Sequence, residues 1–159
     1  MSQQQEVERK FLVKELPDLA NADQTSIRQG YLTQPDDSVE VRIRQKGSKY
    51  FMTLKSGEGL VRNENEMTIS EQQFVQLWPN TIGQRVEKTR WKGKLDNNLC
   101  FELDVFEGAL APLRLVEVEF ESVEQTDDFE VPTWFGQDVT HIKGYKNKAL
   151  ATDGIPLIA

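Results

Sequence analysis

Near its start the chain reads Glu6-Val7-Glu8-Arg9-Lys10-Phe11-Leu12-Val13. In an extended strand alternate side chains share a face, so Glu6, Glu8 and Lys10 point one way. Val7, Phe11 and Val13 point the other. Two carboxylates so close on one face repel unless a cation lies between them. A hard divalent metal satisfies both, with Lys10 one step along to meet an anion carried by the metal. Other strands must supply the remaining acidic oxygens and cations.

Several segments qualify. Segment 39–45 sets Glu40, Arg42 and Arg44 against Val39, Val41 and Ile43, and 49–56 sets Phe51, Thr53 and Lys55 against Tyr50, Met52 and Leu54. In 60–69, Arg62, Glu64, Glu66 and Thr68 share a face. Segment 82–91 places Val86, Lys88 and Arg90 together, 99–106 places Glu102 with Asp104, and 113–121 places Glu117 with Glu119. Arg42, Arg44, Lys55, Lys88 and Arg90 form a set of fixed cations, and Glu6, Glu8, Glu117 and Glu119 form acidic pairs. Such cations suit phosphate oxygens, and such carboxylates suit the accompanying metal. A linear triphosphate carries roughly four to five negative charges near neutral pH, more than one lysine can match. Oxygen-only donors select Mg²⁺ or Mn²⁺ over Zn²⁺.

Composition excludes other chemistries. The 159 residues fit one domain, so no internal boundary is drawn between 1 and 159. A net charge of −7 argues against an outward nucleic-acid face. No apolar run reaches the length of a membrane span or a signal peptide, and the only cysteine, Cys100, excludes an intrachain disulfide. A reducing cytoplasm is the expected compartment. The lone His141 has no second metal-binding or catalytic partner nearby, so zinc or serine–histidine chemistry has little footing.

The elements that must position these residues are eight strands with short turns, the second over 25–32. Its phase puts Arg28 on the same face as the other even-numbered charges. Helices are expected from Ser70 to Pro79, where Ser70 and Gln73 make a capping box, then over 122–129 and 140–151. The stretch 131–136 reads as irregular. Two arrangements remain open: a sandwich with its charges in water, or a closed barrel with them lining a wet lumen. The undiluted E-x-E, R-x-R and K-x-R runs are the argument for the lumen.

Glu6-Val7-Glu8-Arg9-Lys10 resembles the ExExK signature of the CYTH superfamily, the triphosphate tunnel metalloenzymes. The resemblance continues through Val41-Arg42-Ile43-Arg44, Thr53-Leu54-Lys55, Val86-Glu87-Lys88-Thr89-Arg90, Glu102-Leu103-Asp104-Val105 and Val116-Glu117-Val118-Glu119-Phe120. Arg28-Gln29-Gly30-Tyr31-Leu32 and Tyr145-Lys146-Asn147-Lys148-Ala149-Leu150 look like segments of its short bacterial members. It implies a mainly β (α+β) fold: a closed eight-stranded antiparallel barrel forming a charged tunnel, with a few short covering helices. It further implies that Glu6, Glu8, Glu117 and Glu119 hold Mg²⁺ or Mn²⁺. Lys10, Arg42, Arg44, Lys55, Arg62, Lys88 and Arg90 would grip phosphate, with Glu64, Glu66 and Asp104 as further acidic tunnel residues.

Lys10, Glu8 and Tyr31 are then the expected catalytic residues, with Tyr31 orienting Lys10. That puts Tyr31 in the tunnel, against the even-numbered phase, and implies a bulge or a different register there. Lys146 and Lys148 sit on a C-terminal helix expected to close one mouth. The implied activity is hydrolysis of inorganic triphosphate to pyrophosphate and phosphate. Class IV adenylate cyclases, thiamine or nucleoside triphosphatases and non-catalytic polyphosphate-binding modules are the alternatives, and Trp91 and Trp134 are the candidates to hold an organic group. No nucleic acid or membrane partner is expected; a homodimer would cover the apolar exterior.

Overall fold

The computed structural model describes residues 7–57 and 63–156, so Glu6 and Arg62 lie outside the described residues. The strands are β1 (Val7–Val13), β2 (Asp23–Tyr31), β3 (Val39–Lys46), β4 (Lys49–Ser56), β5 (Asn63–Thr68), β6 (Arg85–Lys94), β7 (Cys100–Phe106), β8 (Arg114–Phe120) and β9 (Phe135–Asp138). They form one antiparallel sheet in the order β5-β4-β3-β2-β6-β7-β8-β1-β9. The chain is thus mainly β with few helices, as expected. β1 to β8 are the eight strands read from the sequence. The ninth, β9, is a correction: it falls partly in the stretch read as irregular. Only four residues long, it has too few alternations to carry a strand signal.

Local chemistry explains the connections. Gly47, at φ +60°, takes the first turn position between β3 and β4, a conformation that glycine adopts without steric cost. Helix α1 (Glu71–Leu77) starts at Ser70, whose hydroxyl accepts from the Gln73 N–H while the Gln73 side chain accepts from the Ser70 N–H. The capping box read from the sequence is therefore formed. Past α1, Pro79 lies in a 3-10 turn, Trp78–Thr81, that seats Thr81 against Gly30. Helix α2 (Val123–Asp127) is capped by Ser122. The helix expected over 140–151 is corrected to a 3-10 turn, Lys143–Tyr145, followed by α3 (Asn147–Asp153).

Two apolar cores lie on opposite sides of the sheet. One packs Phe11, Phe101, Leu103, Val116, Val118 and Phe120 of β1, β7 and β8 beneath Phe135. Trp91 and Trp134, the sequence's candidates to hold an organic group, pack against this core as cover residues. The other core joins Tyr31, Val86, Phe106 and Leu115 to Tyr145, Leu150 and Ala151 of the C-terminal segment. That segment bonds to Lys10 of β1, Lys88 of β6 and Glu40 of β3 together. β3 and β1 stand five places apart in the sheet order, so the sheet curls around the segment. Among the described residues, the hydrogen-bonded order ends at β5 and β9.

Candidate functional site

Directly paired residues on an antiparallel ladder project from the same face. The registers therefore show which side chains share the concave side. Glu8 pairs with Glu119, and Lys10 with Glu117, which pairs in turn with Glu102 and then Lys92. Arg90 pairs with Asp104, Lys88 with Phe106, Arg42 with Thr53 and then Glu66, and Lys55 with both Glu40 and Glu64. Every expected site residue within the described range stands on this one face.

β2 resolves the conflict between Arg28 and Tyr31. Its ladder to β3 is continuous, with Tyr31 opposite Arg42, Gln29 opposite Arg44 and Arg28 opposite Gln45. Tyr31 and Gln29 thus face the tunnel, and Arg28 faces outward; no bulge is needed there. Arg28 bonds Gln45 Oε1 and lies over the Phe74 and Trp78 rings at 5.3 and 5.2 Å. The strand simply runs in odd phase, which its weakly amphipathic sequence does not reveal. Gln29, 4% exposed, is consequently a tunnel residue that the sequence reading missed.

The tunnel charges are densely interlocked. Asp104 Oδ2 lies 2.8 Å from Lys88 Nζ, and its two oxygens accept from Arg90 Nε and Nη2 at 2.9 and 3.1 Å. Arg90 Nη1 also meets Glu102 Oε2 at 3.0 Å. Burial alone would raise the Asp104 pKa, but Lys88 and Arg90 outweigh it and hold the carboxyl below its usual range. Burial pushes the Lys88 ammonium down, with Asp104 opposing. Burial works the same way on Arg90, but the carboxylates around it prevail and raise its pKa. Burial, then Arg42, lower that of Arg44, as crowded like charges should.

Arg42 and Arg44 are held more loosely, at 3.8 Å from Glu64 and 3.5 Å from Glu66. Among the described residues, Arg42 Nε is buried without a hydrogen-bond partner. A buried orphan donor is costly unless an acceptor reaches it, and a phosphate oxygen is a fitting one. Lys10 Nζ meets Glu117 Oε1 at 3.3 Å and donates to the Tyr145 carbonyl at 3.2 Å. The Tyr31 hydroxyl instead accepts from Gln29 Nε2 at 2.9 Å. In this structure Lys10 is thus held by Glu117 and the Tyr145 carbonyl, while the Tyr31 hydroxyl is engaged by Gln29.

The acidic end fits a metal through its donor chemistry. Glu8 and Glu119 directly oppose one another across β1 and β8, which brings two oxygen donors suited to a hard cation onto one spot of the face. Glu117 is the next carboxylate on that face. Among the described residues, no three acidic, histidine or cysteine side chains converge as a ready-made cluster. Glu6, the other carboxylate of the signature, lies outside them.

An antiparallel sheet curled so that cations and carboxylates alternate on its concave face, with Lys88 and Asp104 buried among them, forms a charged tunnel wall. The chain belongs to the CYTH domain family, whose model matches residues 4–154. It is 58% identical over 146 residues to an inorganic triphosphatase of Nitrosomonas europaea, covering 92% of this chain and 96% of that protein. An inorganic triphosphatase of Acetivibrio thermocellus is 29% identical over 147 residues, covering 91% of this chain and 92% of that protein. A crystal structure of an inorganic triphosphatase superposes with a TM-score of 0.87 at 53% identity, covering 96% and 97% of the two chains. The family and these relatives imply a divalent metal.

Proposed function

We propose that this protein hydrolyses inorganic triphosphate to pyrophosphate and phosphate with Mg²⁺ or Mn²⁺. The reading rests on Arg42 Nε, buried and without a hydrogen-bond partner among the described residues, within a face that also carries Lys10, Arg44, Lys55, Lys88 and Arg90. The name shared by the two triphosphatase relatives supports the same substrate. The chain acts as a single domain in this reading, in the cytoplasm, with no nucleic acid or membrane partner.

Each part of the tunnel has a task. Arg42, Arg44 and Arg90 offer planar N–H pairs to non-bridging oxygens, while Lys10, Lys55 and Lys88 act as point charges along the chain. Arg62 joins this set and Glu6 the acidic one, on the strength of the sequence alone. Asp104, Glu64, Glu66 and Glu102 hold the cations in place, which reduces the reorganisation required when charge moves. Tyr31, its hydroxyl held by Gln29, packs with Val86 and Tyr145 in the inner core. Glu8, Glu117 and Glu119, with Glu6, would hold the metal, which neutralises phosphate charge and lowers the pKa of bound water. A water oxygen adds in line to the terminal phosphorus and the bridging P–O bond breaks. Pyrophosphate leaves, and the water proton passes to a carboxylate of the acidic wall.

With Trp91 and Trp134 committed to the outer core, neither offers a stacking platform for adenine or thiamine. The test is release of phosphate, and formation of cyclic nucleotide, from triphosphate, ATP, thiamine triphosphate and pyrophosphate with either metal. Preferential turnover of triphosphate supports the proposal. Preferential turnover of ATP or thiamine triphosphate, or tight triphosphate binding without turnover, would replace it.

A further inference from the structure

The C-terminal segment around which the sheet curls touches two of the tunnel cations. Lys88 Nζ, beside Asp104 Oδ2 at 2.8 Å, donates to Asn147 Oδ1 at 3.3 Å. Lys10 Nζ, beside Glu117 Oε1 at 3.3 Å, donates to the Tyr145 carbonyl at 3.2 Å. The two lysines stand on strands three places apart in the sheet. They are nevertheless held alike, each by one wall carboxylate and one neutral oxygen from the C-terminal segment.

An ammonium group carries three N–H donors. Two fixed acceptors set the direction of the third. The chemistry of the second acceptor matters as much as its position. Another carboxylate would cancel the positive charge that phosphate needs, whereas an amide or peptide oxygen fixes the direction and leaves that charge intact. The apolar seat of Tyr145, Leu150 and Ala151 already anchors the segment. The polar contacts therefore do something that anchoring alone does not require.

We propose that the stretch 145–147 is part of the phosphate site and that Asn147 is a positioning residue for Lys88. It turns the third N–H of Lys88 toward the phosphoryl group, as the Tyr145 carbonyl does for Lys10. The inference deepens the triphosphatase reading and rests on it for its kinetic consequence. Seating of the C-terminal segment and competence of the phosphate site are then one event.

Two substitutions separate aiming from packing. Asn147→Leu removes the acceptor at similar size, and Asn147→Asp keeps an acceptor oxygen while adding a charge that repels substrate. Steady-state kinetics on triphosphate should show Asn147→Leu losing about tenfold in kcat with KM little changed. Asn147→Asp should keep kcat near the parent value while its KM rises. A second readout needs no turnover: the ¹⁵N–¹H signal of the Lys88 ammonium, sheltered by its two acceptors, should survive in Asn147→Asp and broaden in Asn147→Leu. If Asn147→Leu folds poorly, Asn147→Ala carries the same comparison. An unchanged kcat and an unchanged Lys88 signal in the leucine variant would overturn the proposal. So would an equal kcat loss in both variants, which is the mark of a merely structural residue. Failure of the parent protein to hydrolyse triphosphate would sink the functional reading instead, leaving the Lys88 signal to decide the geometry.

Discussion

Lys88 and Asp104 form an ion pair at 2.8 Å, with side chains only 4% and 7% exposed. Removing one partner strands the other charge in a low-dielectric site, which typically costs about 3–5 kcal/mol. Asp104→Ala should therefore be among the most destabilising single changes in the tunnel. The double variant Lys88→Met/Asp104→Ala should recover at least about 1 kcal/mol of that loss, because the buried Lys88 charge is then no longer stranded and Arg90 keeps Glu102. Urea unfolding of the singles and the double checks this; simple additivity would contradict it.

The same carboxylate sets an acid limit. The folded pKa of Asp104 lies below its unfolded value, near 3.9, so its stabilisation is present above that value. It is lost as pH falls through the lower folded value. The parent should thus lose stability on acidification below about pH 4 more steeply than Lys88→Met/Asp104→Ala does. Thermal melting of both proteins across that range measures the difference.

Arg28 should matter to the fold and not to the chemistry. Its guanidinium lies over Phe74 and Trp78 and bonds Gln45 on the outer side of the sheet. A cation–π stack and a side-chain hydrogen bond together are worth about 1–2 kcal/mol. Arg28→Ala should cost that much in unfolding free energy while the KM for triphosphate stays put. A large rise in KM would return Arg28 to the tunnel.

Gly30 lies against the 3-10 turn after α1. A Cβ placed there would sit 2.6 Å from Thr81 Cβ, and Thr81 is fully buried. Gly30→Ala should displace that turn and cost about 1–3 kcal/mol, typical of overpacking. Calorimetric melting of this variant gives the number.

Most of the tunnel was legible in the sequence because charge alternates with apolar residues on β3 and along Glu117 to Phe120 of β8, while β1 and β6 add the Glu8/Lys10 and Lys88/Arg90 pairs. The E-x-E and R-x-R pairs there fix which face is wet, and the ladders agree. β2 was harder. Its Arg28-Gln29-Gly30-Tyr31 run places a charge on the dry face, where aromatic rings stabilise it, and an amide on the wet face. Periodicity alone then favours the wrong phase. β9 and the break between the last 3-10 turn and α3 were hidden for a different reason. Four strand residues and one 3-10 turn are set by packing on Leu12 and Tyr31 rather than by their own pattern. The bond from Asn147 to Lys88 joins residues 59 positions apart and leaves no local trace.

The acidic end should bind metal through Glu8 and Glu119. Both are exposed, so Glu8→Gln or Glu119→Gln should leave the fold and its melting temperature near the parent values. Each should weaken Mn²⁺ binding by at least about tenfold, a loss near 1.4 kcal/mol. Titration calorimetry with the metal and triphosphate together reads this out. Parent-like affinity in both variants would remove these carboxylates from the metal site.

The most direct measurement is ³¹P NMR of inorganic triphosphate mixed with the parent protein and Mg²⁺ or Mn²⁺. The tunnel chemistry predicts that the triphosphate signals give way to pyrophosphate and phosphate in equal amounts, and that a chelator stops the conversion. Triphosphate left intact under both metals, or conversion undiminished by the chelator, would contradict it.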